Sequence, residues 1–306
     1  MKPRCWLWLL VFLAMSGRSV AASREGFVDV GDHVRIHYLQ AGPENAPHAL
    51  LLIPGWTISS SIWSRQIVYF AAHGYRVIAM DPRSQGGSTV VMEGNAPENR
   101  ATDIHGIIAR LTLHDVVMIG WSQGAQDVAA YVARYGTAKI SGLVLVDSPV
   151  SAGPVDVKEN AGFVTTILQG VGMYSSDPRG YLNGLMHAII STPTSPQVYA
   201  QLDEEAMKTP QDIGISMLIQ DMFTTDRRPA LKLFLKPTLV VASARSPLLD
   251  EQRNMLNMLP SGKMIVVNNA AHAVFFDQPD VFNRDLDAFI ASLDAPHRLS
   301  PRQRGP

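Results

Sequence analysis

The chain has 306 residues, 46% of them hydrophobic and 17% charged, with a formal net charge of −1. That length and composition suit one large α/β domain with a substantial core, and exclude disordered or low-complexity classes. The near-neutral balance offers no basic face for nucleic acid or an anionic membrane.

Lys2 and Arg4 precede an apolar run, Cys5 to Met15, and then the small residues up to Ser23. A positive start, a short apolar stretch and small residues at a cleavage point are the features of a secretory signal peptide, expected to span 1–22 and to be cut after Ala21 or Ala22. The run is too short to cross a bilayer, so no stable membrane insertion is expected after cleavage, and the mature protein is expected to be exported, periplasmic or secreted. Loss of Lys2, Arg4 and Arg18 takes the basic side chains from 26 to 23 against 27 acidic ones, a formal charge of −4. Cys5, the single cysteine, leaves with the same segment. Disulfides, a cysteine nucleophile and thiolate metal sites are thereby excluded from the mature chain.

Phe27–Val30 and Val34–Leu39 read as an antiparallel hairpin around Gly31-Asp32. The apolar run Ala49–Ile53 predicts a strand covered on both faces, leading into Pro54-Gly55-Trp56. A helix is expected over Ile62–Ala72, a buried strand over Arg76–Met80, and a helix over Glu98–Leu111. Asp81 and Arg83, in the loop after that second buried strand, read as a structural ion pair. Val116–Ile119 predicts another buried strand, which runs into Gly120-Trp121-Ser122-Gln123-Gly124 and then a helical stretch, Ala125–Tyr135. Such an abrupt strand-to-helix reversal needs flanking glycines and presents Ser122 at its apex, with a helix N-terminus behind it. The pentapeptide alone is a short pattern that chance supplies, so its weight comes from its neighbours.

Leu143–Val146 is a further strand, ending at Asp147. The strand–helix rhythm then breaks over about 151–236, where helical patches rich in Met and aromatics predict a helical lid over the site. The rhythm resumes with strand Thr238–Ala242, helix Asp250–Met258, strand Met264–Val267 and helix Val281–Leu293, and 296–306 reads as a flexible tail. Alternation of this kind specifies an α/β class with a mostly parallel sheet and helices on both faces. The domain is expected to occupy 23–295.

A serine becomes a useful nucleophile only when a base takes its proton and a third group orients the base. His272, just past the last strand, falls in a loop at the same sheet edge as Ser122. The other histidines of the mature chain belong to the hairpin, to element flanks, to the second helix, to the lid or to the C-terminal tail.

With these pieces in place the chain resembles the α/β-hydrolase fold superfamily over nearly its whole mature length. The resemblance rests on Pro54-Gly-Trp56, Asp81-x-Arg83…Gly86-Gly-Ser88, the elbow Gly120–Gly124, the lid region, and His272 followed by Asp277-Gln-Pro279. It is similar to the branch holding serine esterases, lactonases, C–C hydrolases and cofactor-free haloperoxidases. Serine at 122 argues against the aspartate-nucleophile dehalogenases and epoxide hydrolases.

The resemblance implies a catalytic acid in the loop after the strand that follows the lid, but that position holds Ser246. Asp147, where some relatives carry their acid, is the preferred candidate, and Asp250 is the alternative, although it also suits a helix N-terminus. The resemblance further implies that the backbone amides of Trp56 and Gln123 stabilise the oxyanion, with the Trp56 indole against the acyl pocket and Trp121 either there or in the core.

The expected activity is cleavage of an ester, lactone or similar acyl bond of a small to medium apolar molecule through Ser122, His272 and Asp147. Perhydrolysis or lyase chemistry on the same residues is the alternative, and a non-catalytic binding module is a remote one. No cofactor and no metal are expected, because no nucleotide-binding motif or His/carboxylate cluster stands out.

Overall fold

The computed structural model describes residues 23–151, 158 and 161–294. The expected signal peptide and C-terminal tail lie outside these residues. Among the described residues no helix is long and apolar enough to cross a membrane.

Eight strands form one sheet in the order β1-β2-β4-β3-β5-β6-β7-β8. They are β1 (Arg24–Gly31), β2 (Val34–Ala41), β3 (Ala49–Ile53), β4 (Arg76–Met80), β5 (Val116–Trp121), β6 (Ile140–Val146), β7 (Thr238–Ser243) and β8 (Gly262–Val267). The β1–β2 hairpin and the β2–β4 pair are antiparallel, and every pairing from β4 through β3 to β8 is parallel. Parallel strands need crossovers, which lay helices on both faces and bury the middle of the sheet. The all-apolar β3 shows the consequence: Leu50 and Leu52 join one core while Ala49, Leu51 and Ile53 join the other.

The first core lies beneath α1 (Ser64–Ala72) and α10 (Pro279–Leu293), where Phe70, Phe282 and Ile290 meet Trp63 of a short 3-10 turn, Ser60–Trp63. The second lies beneath α2 (Pro97–Arg110), α3 (Gln123–Tyr135) and α8 (Leu249–Leu256). Each large aliphatic or aromatic side chain buried in this way stabilises the fold by about 1.5–3 kcal/mol before the entropy of ordering is subtracted.

Between β6 and β7 the described chain forms α4 (Ala161–Ser176), α5 (Pro178–Ile189), α6 (Pro196–Ala206) and α7 (Gln211–Phe223), followed by a 3-10 segment, Arg228–Leu233. Proline opens α5 and α6, at a position that needs no N–H donor, and the side chains of Asp177 and Ser195 cap their first turns. Polar ties fasten these helices to the sheet domain. The Trp56 indole N–H donates to Gly214 O at 2.8 Å, and the Ala273 amide donates to Ile189 O at 2.8 Å. The fully buried Arg100 donates to Asp127 of α3 and to Asp221 of α7, each at 2.8 Å.

One expectation fails. Asp81 and Arg83 do not pair with each other. Asp81 accepts from the His37 ring at 2.8 Å and from the amides of Gly87 and Ser60, while Arg83 forks onto Asp103 with two contacts of 2.6 Å. Residues two apart in a loop diverge, and each side chain found a partner on another element. Burial would raise the Asp81 carboxyl, but His37 and the two amides outweigh it and hold the group below its ordinary range.

Candidate active site

Because β3, β5, β6, β7 and β8 run in one direction, their C-terminal ends share one sheet edge, where ligands bind in open α/β folds. Ser122 leaves β5 there with φ 56° and ψ −120°, a conformation costly for a residue with a side chain. Its backbone is clamped on both sides: the Ser122 amide donates to Val146 O at 3.1 Å, and Ser122 O accepts from the Ala125 amide at 2.9 Å. The flanking glycines are a steric requirement. A Cβ on Gly124 would lie 2.6 Å from Ile53 O, and one on Gly120 would strike the Gly124 carbonyl. The turn therefore holds the hydroxyl above the sheet and over the N-terminus of α3.

One strand along, Asp147 continues β6, its amide bonded to Val241 O at 2.8 Å and its φ positive at 46°. Its carboxylate is 1% exposed and has three donors. Oδ1 accepts from the Ser243 amide at 2.9 Å and from Gln252 Nε2 at 3.2 Å, and Oδ2 faces His272 Nδ1 at 2.8 Å. An ionised carboxylate can only accept, so the proton of this bond belongs to Nδ1 and the lone pair of Nε2 is left for other work. His272 stands in the loop between β8 and α9 (Val274–Asp277). Its carbonyl accepts from the Trp121 indole at 3.0 Å, and the preceding amide of Ala271 donates to Asp277 at 2.7 Å.

Asp250 is elsewhere. It lies in the first turn of α8, exposed and paired with Arg253 at 2.8 Å. Ser246 accepts from Gln252 Nε2 at 3.2 Å, so one buried glutamine spans Ser246 and Asp147. Sequence reasoning missed Gln252, because a helical glutamine carries no chemical signature until its partners are known.

Ser122, Asp147 and His272 line one cavity of about 600 Å³, together with Trp56 and Gln123. Among the described residues the Ser122 hydroxyl makes no hydrogen bond, and base–nucleophile contacts commonly tighten only with substrate bound. The backbone amides of Trp56 and Gln123 likewise have no acceptor among the described residues. Leu185 of α5, Ile190 just after it, and Leu218 and Met222 of α7 give the cavity apolar lining, beside His187 of α5 and Asp221 of α7. Trp121 belongs to the core, 1% exposed and packed edge-on against Trp63 and Phe275.

A family model described as the alpha/beta hydrolase family matches residues 50–285. The chain is 28% identical over 284 residues to the bifunctional esterase/perhydrolase DCH of Acinetobacter calcoaceticus, covering 87% of this chain and 100% of that protein. It is also 28% identical over 282 residues to a non-heme chloroperoxidase of Burkholderia pyrrocinia, covering 86% and 99%. Among solved structures, a bromoperoxidase from Bacillus anthracis aligns with a TM-score of 0.78 at 23% identity, over 88% of this chain and 100% of that one. An esterase from Exiguobacterium antarcticum aligns with a TM-score of 0.76 at 18% identity, over 87% and 98%.

Proposed function

Because the chain belongs to the alpha/beta hydrolase family, we propose that it is a serine hydrolase cleaving an ester, lactone or similar acyl bond of a small to medium apolar substrate. Ser122 Oγ attacks the carbonyl carbon as His272 Nε2 takes its proton. Asp147 keeps the imidazole in the right tautomer and stabilises the cation that forms. The negative charge that develops on the carbonyl oxygen is met by the amides of Trp56 and Gln123, at the N-terminus of α3. Collapse expels the alcohol, which takes the proton from His272 and leaves an acyl-serine. Water, deprotonated by the same imidazole, then releases the acid.

The observation that carries this reading is the 2.8 Å Asp147–His272 bond, at the cavity that the strained Ser122 turn also lines. The names of the relatives favour a second reading on the same residues. Hydrogen peroxide in place of water would intercept the acyl-serine and release a peracid. In both readings α4–α7 serve as the lid, residues 23–295 form the catalytic domain, and residues 1–22 direct export.

A fluorophosphonate probe, which reacts only with an activated serine, tests the mechanism. The mature protein is expected to label and the Ser122→Ala protein to stay unlabelled with an unchanged circular dichroism spectrum. Equal labelling of the two would refute the assignment. Peroxide-dependent bromination measured beside ester cleavage separates the two readings.

A further inference from the structure

On the side of α5 and α7 the cavity wall is mostly apolar, with His187 and Asp221 among Leu185, Leu218 and Met222, and the turn after β7 gives it a different character. Arg245, Ser246, Pro247 and Leu248 line the cavity from that side. Among the described residues that line the cavity, Arg245 is the only lysine or arginine. The two carboxylates among those described residues are already engaged, Asp147 by Ser243, Gln252 and His272, and Asp221 by Arg100. The Arg245 side chain is exposed, and among the described residues it has no hydrogen-bond, ion-pair or ring partner.

Its base is not loose. The Arg245 amide donates to Ser243 Oγ at 3.0 Å, Ser243 Oγ donates to Ala270 O at 2.7 Å, and the Ser246 amide returns to Ser243 O at 3.1 Å. A rigid turn thus presents a permanent positive charge with no partner among the described residues, at a cavity whose described carboxylates are engaged elsewhere. A guanidinium in that setting recognises a planar anion by a two-pronged hydrogen bond.

We propose that the acyl substrate carries a carboxylate remote from the scissile bond, and that Arg245 is the specificity residue that binds it. The inference rests on the acyl-hydrolase reading above and replaces its wholly apolar substrate by one with an apolar span and an anionic end, a half-ester of a dicarboxylic acid or a lactone that carries a free carboxylate. Leu218 and Met222, which line the same cavity, offer the aliphatic span an apolar surface, and the anionic end meets Arg245.

The test compares the p-nitrophenyl half-ester of adipic acid with its methyl-capped, neutral diester. The wild-type protein is expected to favour the half-ester in kcat/KM, mainly through KM. Arg245→Gln is expected to shrink that preference about five- to ten-fold, the scale of a charge-assisted hydrogen bond at a partly solvated rim. Arg245→Lys should retain part of it, and 0.5 M salt should erode it in the wild type. No preference in the wild type, or an equal preference in Arg245→Gln, overturns the inference. Calorimetric binding of adipate against hexanoate supplies a readout free of turnover. Adipate favoured by the wild type and not by Arg245→Gln supports the anion site even if neither ester is cleaved, an outcome that would instead sink the hydrolase reading. Equal binding of the two acids counts against Arg245.

Discussion

Asp147 Oδ2 and His272 Nδ1 stand 2.8 Å apart across 125 residues of chain. The contact is a product of strand order. β6 and β7 are neighbours, β7 and β8 are neighbours, and their ends deliver Asp147, Ser243 and the His272 loop to one place. Asp250 has no such delivery. Replacing Asp147 by Asn is expected to lower kcat for p-nitrophenyl butyrate by about 10³–10⁴-fold, since the imidazole is then held in the wrong tautomer. Asp250→Asn should remain within about two-fold, because an exposed pair of this kind has little energetic weight. Steady-state kinetics on the two proteins side by side decide it, and near-normal kcat in Asp147→Asn would remove that residue from the mechanism.

Gln252 gives Asp147 its side-chain amide donor while its own residue is fully buried. Gln252→Leu should lower kcat about ten-fold with little change in KM, and cost about 1–3 kcal/mol in urea unfolding, as a buried acceptor loses a donor. Gln252→Glu should be worse on both counts, since it sets a second carboxylate against Asp147. A change confined to stability, with kcat intact, would leave Gln252 a core residue only.

The glycine two residues after Ser122 can be tested by adding one methyl group. Gly124→Ala places a Cβ 2.6 Å from the Ile53 carbonyl, so β3 and α3 must separate or the elbow must turn. The expected result is a loss of at least about 2 kcal/mol in stability together with activity down by two orders of magnitude. Wild-type kinetics in this variant would show that the close approach is not needed.

Arg100 joins α2, α3 and α7 through Asp127 and Asp221, all three nearly or wholly buried. Burial and the neighbouring Asp221 raise the Asp127 carboxyl to about 7 despite the opposing pull of Arg100. Arg100→Met strands two carboxylates in the interior and should destabilise the protein by about 3–5 kcal/mol at pH 8. Protonation relieves that penalty, so the deficit should narrow at pH 5.5. Urea unfolding at the two pH values measures it, and a deficit independent of pH would contradict the account.

Asp277 ties the His272 loop to the end of α5. Its carboxylate accepts from the Ala271 amide, from the Ser191 amide and hydroxyl, and from the Thr192 amide. Burial alone would raise this carboxyl, but those hydrogen bonds outweigh it and hold the group below its ordinary value. A folded-state value below the unfolded one means stability that is present above about pH 4 and lost as pH falls through the folded-state value. Asp277→Asn should therefore be less stable at pH 7 and should show a shallower loss between pH 4 and pH 2. Parallel acid-unfolding curves for the two proteins would disprove the linkage.

Much of the architecture was readable along the chain, because short apolar runs bounded by turn residues, such as Ala49–Ile53 and Val116–Ile119, suit strands buried on both faces. Element ends were less so. The first strand begins at Arg24, three residues before the apolar pattern, since main-chain pairing with β2 extends it where side chains are exposed. The stretch before α1 closes as a 3-10 turn, so the helix starts at Ser64 rather than Ile62.

Local chemistry is written in residue order: the glycine-flanked turn at Ser122, the loop after β8 with His272, and Asp147 at a strand end can all be named from it. Pairing between distant groups is not, because a side chain takes whichever partner the packed strands and helices bring within about 3 Å. Asp81 turned to His37 and Arg83 to Asp103 for that reason. Packing is also what set Gln252 between Asp147 and Ser246, and what left Arg245 at the cavity without a partner among the described residues.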